Sequence, residues 1–388
     1  MRPEVELLVR APCIGSADDE AGEMQALLQS GIDWDYLLRG AYDHSVIPLL
    51  YRRLSAYPEA VPAEVMASLR DQSLINSRSS LGLTHELLEL LALFEANSIP
   101  VIPYKGPALA ASAYGDVGLR QFSDLDLIVH KSDVLHVKTL LSARGWRPEF
   151  ELNDAQEAAF LDHYYDYGFH NDQGVLVEIH WELTEGYFNV PIDVEGLWER
   201  LVPIQIAGRR VMTLSPEDAL LIVCVHSSKH LWSRLGWISD VARLVETNKD
   251  MNWTQVTEHA AELGARRMLH LGLVLANKLL GARLPEHISK DINSNPTVSA
   301  LAAEMTRRLF EDRNSSPGIV ETAKLHIRMR ERPSDRFRYV SRLLLNTTVG
   351  DWTSIRMPRS LFFLYYLVRP FRLAGKYGRR FFTDRHLF

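Results

Sequence analysis

Asp124 and Asp126 stand two residues apart in QFSDLDLIV, an apolar run that reads as a strand. Side chains alternate along a strand, so both carboxylates share one face and Leu125 packs behind them. Lys105-Gly106 closes an earlier apolar run, IPVIPY, and Arg120 precedes the aspartates in a loop. Glu178 lies in a later strand, VLVEIHWEL, where the same alternation puts it on one face with His180. Converging carboxylates beside cations and a glycine turn suit cations bridging a polyphosphate.

The reaction that uses such a set is nucleotidyl transfer, an in-line attack on the α-phosphate of a nucleoside triphosphate. Two divalent ions roughly 3.5–4 Å apart would clamp the attacking and leaving oxygens. Hard oxygen donors favour Mg²⁺ or Mn²⁺. Asp124, Asp126 and Glu178 are the expected metal ligands and catalytic residues, with Glu178 also able to serve as base toward an acceptor hydroxyl. Gly106 would let the backbone approach the triphosphate, and the helix after it would aim free N–H groups at the phosphates. Lys105 and Arg120 would neutralise phosphate charge, Arg120 with both arms of its fork. His180 would contact phosphate or an ion, or orient a carboxylate. Each residue also has a plainer reading. Asp-x-Asp is common by chance, Lys-Gly is often a turn with a solvated lysine, and a glutamate on a half-buried strand is usually just exposed.

These residues need a sheet. The hydrophobic pattern predicts strands at 100–104, 124–130, 146–150, 164–170 and 175–182, with helices at 107–114, 132–144 and around 155–163. Asn171-Asp172-Gln173-Gly174 reads as a hairpin turn that returns Glu178 to the aspartates. Helical spacing runs from Glu20 to Leu54 and again from Val65 to Asn97, as one or two long helices. Beyond Gly186 a short extended pair precedes Ser215-Pro216-Glu217-Asp218, a helix start with Ser215 as cap and Pro216 at the first position. Helices follow to about 347, with breaks near Asn248, Gly281 and Ser315-Ser316-Pro317. The fold class is α+β: a small mixed sheet at 99–185 between helical regions at 1–98 and 186–327, with a tail at 328–388.

In the second helical region Lys229 is expected to reach the nucleotide base or triphosphate, together with His226 and His230 one turn apart. His-x-x-x-His could suggest zinc, but a metalloprotease motif would need glutamate where Ser227 stands. Trp237 reads as core, and Asp240 would help orient Lys229 or His226. There is no P-loop, no G-x-S-x-G, no Cys-x-x-Cys and no G-x-G-x-x-G after a strand.

The order strand, glycine turn, helix, Asp-x-Asp strand and later acid resembles the DNA polymerase β-like nucleotidyltransferase superfamily. Within it, YKGPALAASAYGDVGLRQFSDLDLIV, VEIHWEL and LSPEDALLIVCVHSSKHLWSRLGWISDVARLV are similar to a family of largely uncharacterised bacterial nucleotidyltransferases, over roughly residues 30–285. KGPAL with RQFSDLD also resembles toxin-like nucleotidyltransferases of toxin–antitoxin systems. The resemblance implies transfer of NMP, with ATP the expected donor, to a hydroxyl or phosphate of a small molecule, peptide or protein. RNA is the alternative acceptor, and a non-catalytic scaffold of the same fold is a third reading. Two departures stand out: Gly106-Pro107 replaces the usual glycine pair and loses one N–H, and Glu178 replaces the frequent third aspartate.

With 388 residues, 46% apolar and 24% charged, the chain is a soluble globular type with more than one core. A net charge of −6 excludes polyanion binding by the chain as a whole. Two cysteines, Cys13 and a Cys224 set in an apolar run, imply no disulfide framework. No secretory leader and no transmembrane span are expected, since the richest apolar run, Leu361–Val368, is too short; a reducing cytoplasm is the expected location. From Arg328 onward about fourteen Arg/Lys face about four acids, interleaved with aromatic residues. That mix suits RNA or a membrane surface, or a tail covering the chain's own acidic face.

Overall fold

The short apolar runs around the aspartates pair into a five-stranded mixed sheet. The computed structural model describes residues 2–13, 21–310 and 318–345. The strands are β1 (Ile102–Pro103), β2 (Asp124–Ile128), β3 (Arg147–Pro148), β4 (Asp166–His170) and β5 (Leu176–His180), in the order β1-β2-β5-β4-β3. The β2–β5 pair is parallel and the other three are antiparallel. All five strands are shorter than their hydrophobic runs, and β1 and β3 hold two residues each. The hairpin turn forms as expected: Asn171 Oδ1 accepts from the N–H groups of Gln173 and Val175, at 3.0 and 2.9 Å. A separate hairpin, β6 (Val202–Ile206) and β7 (Arg209–Thr213), is the extended pair beyond Gly186.

Helices α1 (Pro3–Arg10), α2 (Ala21–Leu28), α3 (Trp34–Asp43), α4 (Ile47–Leu54) and α5 (Ala63–Ala96) precede the sheet. The region from Val65 is a single helix of 34 residues. Within the sheet region lie α6 (Gly106–Leu109), which continues as a π turn over Ala110–Tyr114, then α7 (Val134–Ala143) and α8 (Asp154–His163). After it come α9 (Val194–Leu197), α10 (Pro216–Lys229), α11 (Leu235–Thr247), α12 (Trp253–Glu262), α13 (Arg266–Leu280), α14 (Glu286–Asn293), α15 (Pro296–Phe310), α16 (Ile319–Met329) and α17 (Pro333–Leu345). The α10 start is as read: Ser215 Oγ accepts from Asp218 N at 3.1 Å, with Pro216 in the first turn. Asn248 and left-handed Gly281 end α11 and α13. The break at 315–317 and the tail beyond 345 lie outside the described residues.

Strand alternation sorts the apolar residues into two clusters. Leu125, Leu127 and Val129 bury one face of β2 with Val177, Ile179 and Trp181 of the neighbouring strand. The C-terminal half of α5 covers them through Leu83, Leu87, Leu90 and Phe94. Burying each such side chain stabilises the fold by about 1.5–3 kcal/mol. On the other face Ile102, Tyr104 and Ile128 join a larger cluster shared by α1–α4 and α10–α15. The carboxylates stand on this second face, so helices from both ends of the chain surround them. Cys224 is fully buried in that cluster. Among the described residues no helix is long and apolar enough to cross a membrane.

Candidate active site

Parallel pairing of β2 with β5 sets Asp126 directly beside Glu178. Asp124 lies one pleat earlier and His180 one pleat later, on the same face of the sheet. Asp126 is 4% exposed, and its Oδ1 gathers three donors: Lys105 Nζ at 2.9 Å, His180 Nε2 at 3.2 Å and Tyr104 Oη at 3.4 Å. His180 Nε2 also stands 3.4 Å from Glu178 Oε2. One group of three candidate metal ligands is found among the described residues: Asp126, Glu178 and His180, whose donor atoms lie within 4.8 Å of one another. His180 completes that group with Asp126 and Glu178, and its Nε2 lies between their carboxylates, in keeping with the carboxylate-orienting reading.

The electrostatics separate the two aspartates. Burial alone would raise the Asp126 carboxyl, but the Lys105 ammonium and the His180 hydrogen bond hold it far below the carboxylate range. Asp124 is pushed up to about 6 by burial and by the negative charges of Asp126 and Glu178. Burial would lower His180, yet its hydrogen bonds to Asp126 and Glu178 lift it to about 9. Lys105 is raised because the Asp126 charge outweighs its desolvation.

Gly106 adopts φ +47°, and a Cβ there would lie 3.1 Å from the backbone oxygen of Asp124. Only glycine accepts that backbone at low cost, so the turn and the Asp-x-Asp strand fit against each other. The α6 turn offers fewer donors than expected. Pro107 has no N–H, and those of Ala108 and Leu109 both point to the Lys105 carbonyl, at 3.0 and 3.3 Å.

Arg120 is clasped rather than free. Its Nε and Nη2 donate to Asp240 Oδ1 and Oδ2 at 2.9 and 3.0 Å, and Tyr114 Oη donates to Asp240 Oδ1 at 2.7 Å. Asp240 therefore holds Arg120, not Lys229 or His226 as its sequence position suggested. Asn76 in mid-α5 supports the same loop by donating to Gly118 O at 2.9 Å. Lys229 Nζ reaches Glu185 Oε1 at 2.7 Å, where Tyr165 Oη also donates at 3.1 Å. His226 and His230 are both shifted down: burial lowers them first, with the Lys105 charge next at His226 and the Lys229 charge next at His230. His226 meets Trp237 edge-on at 5.6 Å between ring centres and His230 at a tilt at 5.3 Å, and Trp237 is half-buried rather than core.

Sequence reasoning missed two acids. Asp166 pairs with His180 across β4–β5 and so joins the carboxylate face; burial raises it to about 6, and Glu178 and Glu185 add to that. Glu185 follows β5 in a loop and is drawn in by Lys229. The strand at 164–170 was legible, but only its register shows where Asp166 points.

The donor chemistry fits a divalent cation: two carboxylates and an imidazole converge, and His180 Nδ1 is buried without a partner. Similar solved structures include ANT(2'')-Ia in complex with adenylyl-2''-tobramycin, at 17% identity and TM-score 0.33, covering 48% of this chain and 98% of that one. An antigenic nucleotidyltransferase-like protein from Paracoccidioides brasiliensis is similar at 16% identity and TM-score 0.30, covering 57% and 96%. No curated protein matches the chain. Residues 30–281, well over half of the chain, match the family described as uncharacterised nucleotidyltransferase, and the protein belongs to that family.

Proposed function

We propose that the chain is a divalent-metal-dependent enzyme that transfers NMP from a nucleoside triphosphate, ATP first among them, to an acceptor hydroxyl or phosphate. The observation that carries this reading is the register that seats Asp126 beside Glu178 with Asp124 on the same face. Asp124, Asp126 and Glu178 would hold Mg²⁺ or Mn²⁺, which supplies charge neutralisation at the phosphates and acidifies the acceptor hydroxyl. Lys105 lies on Asp126 Oδ1, close enough to serve a phosphate oxygen placed at the carboxylates. Arg120, fixed by Asp240, would offer its remaining guanidinium edge to the same polyphosphate. Glu178, half-buried and beside His180, is the base toward the acceptor. The acceptor would enter over β4, past Asp166, Glu185 and Lys229, because the cations Lys105 and Arg120 claim the β1 side for phosphate. Two thiols, one of them buried, fit a reducing cytoplasm.

The test is transfer from α-labelled nucleotides to acceptor pools of small molecules, peptides and RNA, with Mn²⁺ or Mg²⁺. Asp124→Asn combined with Asp126→Asn should abolish transfer with the fold retained by circular dichroism. Full activity in that double variant would overturn the assignment.

A further inference from the structure

Away from the carboxylates, arginines gather around one cavity. Residues 328–338 hold five arginines against Glu331 and Asp335, in a chain that is negative overall. Arg330 donates to His326 O at 2.7 Å, Arg332 to Glu262 O at 3.1 Å, and Arg338 stands 3.8 Å from Asp335. Glu331 accepts from the Arg267 N–H at the start of α13. Arg328 and Arg336 remain, and with Arg267 they line an open cavity of about 440 Å³ where α13, α15, α16 and α17 meet.

These three guanidiniums are held but not neutralised. Arg267 Nη1 donates to the carbonyls of Arg328 and Arg330, at 3.2 and 3.0 Å, and Arg336 Nε donates to Arg330 O at 3.0 Å. Main-chain carbonyls thus fix two of the side chains without cancelling their charge. Arg267 Nε is buried with no partner, and Arg328 is exposed. None of the three forms an ion pair among the described residues, whereas Arg10, Arg120, Arg200, Arg209 and Arg308 all do. The rest of the lining is small or aliphatic, with Thr297 its one other polar side chain, and among the described residues no acid and no aromatic ring lines the cavity. The nearby helix end is already satisfied: Asn295 Oδ1 accepts from the N–H groups of Thr297 and Val298, at 3.1 and 3.4 Å.

We propose that this cavity is a second anion site and takes a compact phosphoanion of the pyrophosphate class. Guanidinium forks match pairs of phosphate oxygens, and an anion of several charges offsets the mutual repulsion of the three arginines. Single-stranded nucleic acid fits less well, since the cavity has no ring for a base to stack on. The site is distinct from the carboxylate face. His326 Nε2 stands 3.0 Å from Lys229 O on the side of α16 that faces the candidate active site, and Arg328 lies about 200° further round that helix. A bound anion bridges α13, α16 and α17, so it also raises thermal stability.

Titration calorimetry of the full chain with sodium pyrophosphate tests this, at low salt and after removal of divalent cations, so that no metal recruits the ligand to the carboxylates. One equivalent should bind, and sulfate at matched ionic strength should bind at least tenfold more weakly. Arg328→Gln, at an exposed position, should weaken pyrophosphate binding about tenfold, the worth of one charge-assisted hydrogen bond, with the thermal stability of the free protein unchanged. Ala300→Glu, which sets a carboxylate in the cavity from an exposed position on α15, should weaken it at least as much. Asp124→Asn with Asp126→Asn should leave it unchanged, which separates this site from the proposed transfer site. The proposal is overturned if pyrophosphate gives neither binding heat nor a rise in melting temperature. It is overturned equally if sulfate binds as tightly, if either cavity variant binds pyrophosphate like the unaltered chain, or if the aspartate pair abolishes binding. An RNA oligonucleotide that binds tightly and is not displaced by pyrophosphate would overturn it too, and would assign the arginines to nucleic acid.

Discussion

Exchanging Asp124 for asparagine should stabilise this protein, and exchanging Asp126 should destabilise it, although both changes should abolish transfer. The carboxyl of Asp124 moves from 3.8 to about 6 on folding, because it is buried beside Asp126 and Glu178. At about 1.4 kcal/mol per pH unit, its charged form opposes folding by about 3 kcal/mol at pH 7. The native state holds this proton more tightly than the unfolded chain. The group's stabilising contribution is therefore complete below pH 3.8 and lost as pH rises through about 6. Asparagine removes that loss. Asp126 is the reverse: its depressed carboxyl contributes stability above pH 3.8 that fades as pH falls. Removing its charge leaves the Lys105 ammonium and the His180 imidazolium without their shared acceptor, a change of the class that costs about 3–5 kcal/mol. The retained amide oxygen of asparagine reduces that cost. Urea denaturation in chelator, at pH 5 and pH 7, would read both. Asp124→Asn should raise the midpoint at pH 7 and flatten its pH dependence between 4 and 6. Equal shifts of the same sign in the two variants would refute the charge layout.

Further outcomes follow from single contacts. Gly106→Ala should destabilise by about 1–2 kcal/mol, the cost of a side chain at left-handed φ, and lower transfer by displacing the Asp124 backbone, measurable by denaturation and initial rates. Asp240→Asn should raise KM for the triphosphate about tenfold, the worth of one charge-assisted hydrogen bond that aims Arg120, with kcat nearly unchanged. An unaltered KM would remove Arg120 from the phosphate site. Ser215→Ala should cost about 1 kcal/mol through loss of the α10 cap, with no effect on KM. Adding Mg²⁺ at 100 times its dissociation constant should raise stability by about 2.7 kcal/mol in the unaltered chain and by less in Asp126→Asn.

Much of this arrangement was legible because its signals are local. The Asp-x-Asp pleat, the Asn171–Gly174 turn and the Ser215-Pro216 cap each depend on residues a few positions apart, and each formed as read. The Arg120–Asp240 clasp joins residues 120 apart, and no local pattern announces it. Asp166 was hidden for a different reason: strand period shows which residues share a face, while strand order and register decide which residues of neighbouring strands lie opposite each other. The α6 donors were overcounted because the carbonyl of Lys105 captures two of them, a competition invisible until the turn is built.

The parallel pairing of β2 with β5 has a kinetic side. Asp126 and His180 are 54 residues apart in sequence, and parallel strands cannot meet through a tight turn. Chain closure over such a loop comes late, after the local helices and the β4–β5 hairpin can form. Asp126 meets Glu178 only when β2 and β5 pair. A chain in which β2 and β5 have not yet paired therefore holds these acids apart. If the site binds a cation as proposed, a time course of metal-induced protection should lag the helical signal by the time that β2 and β5 take to meet.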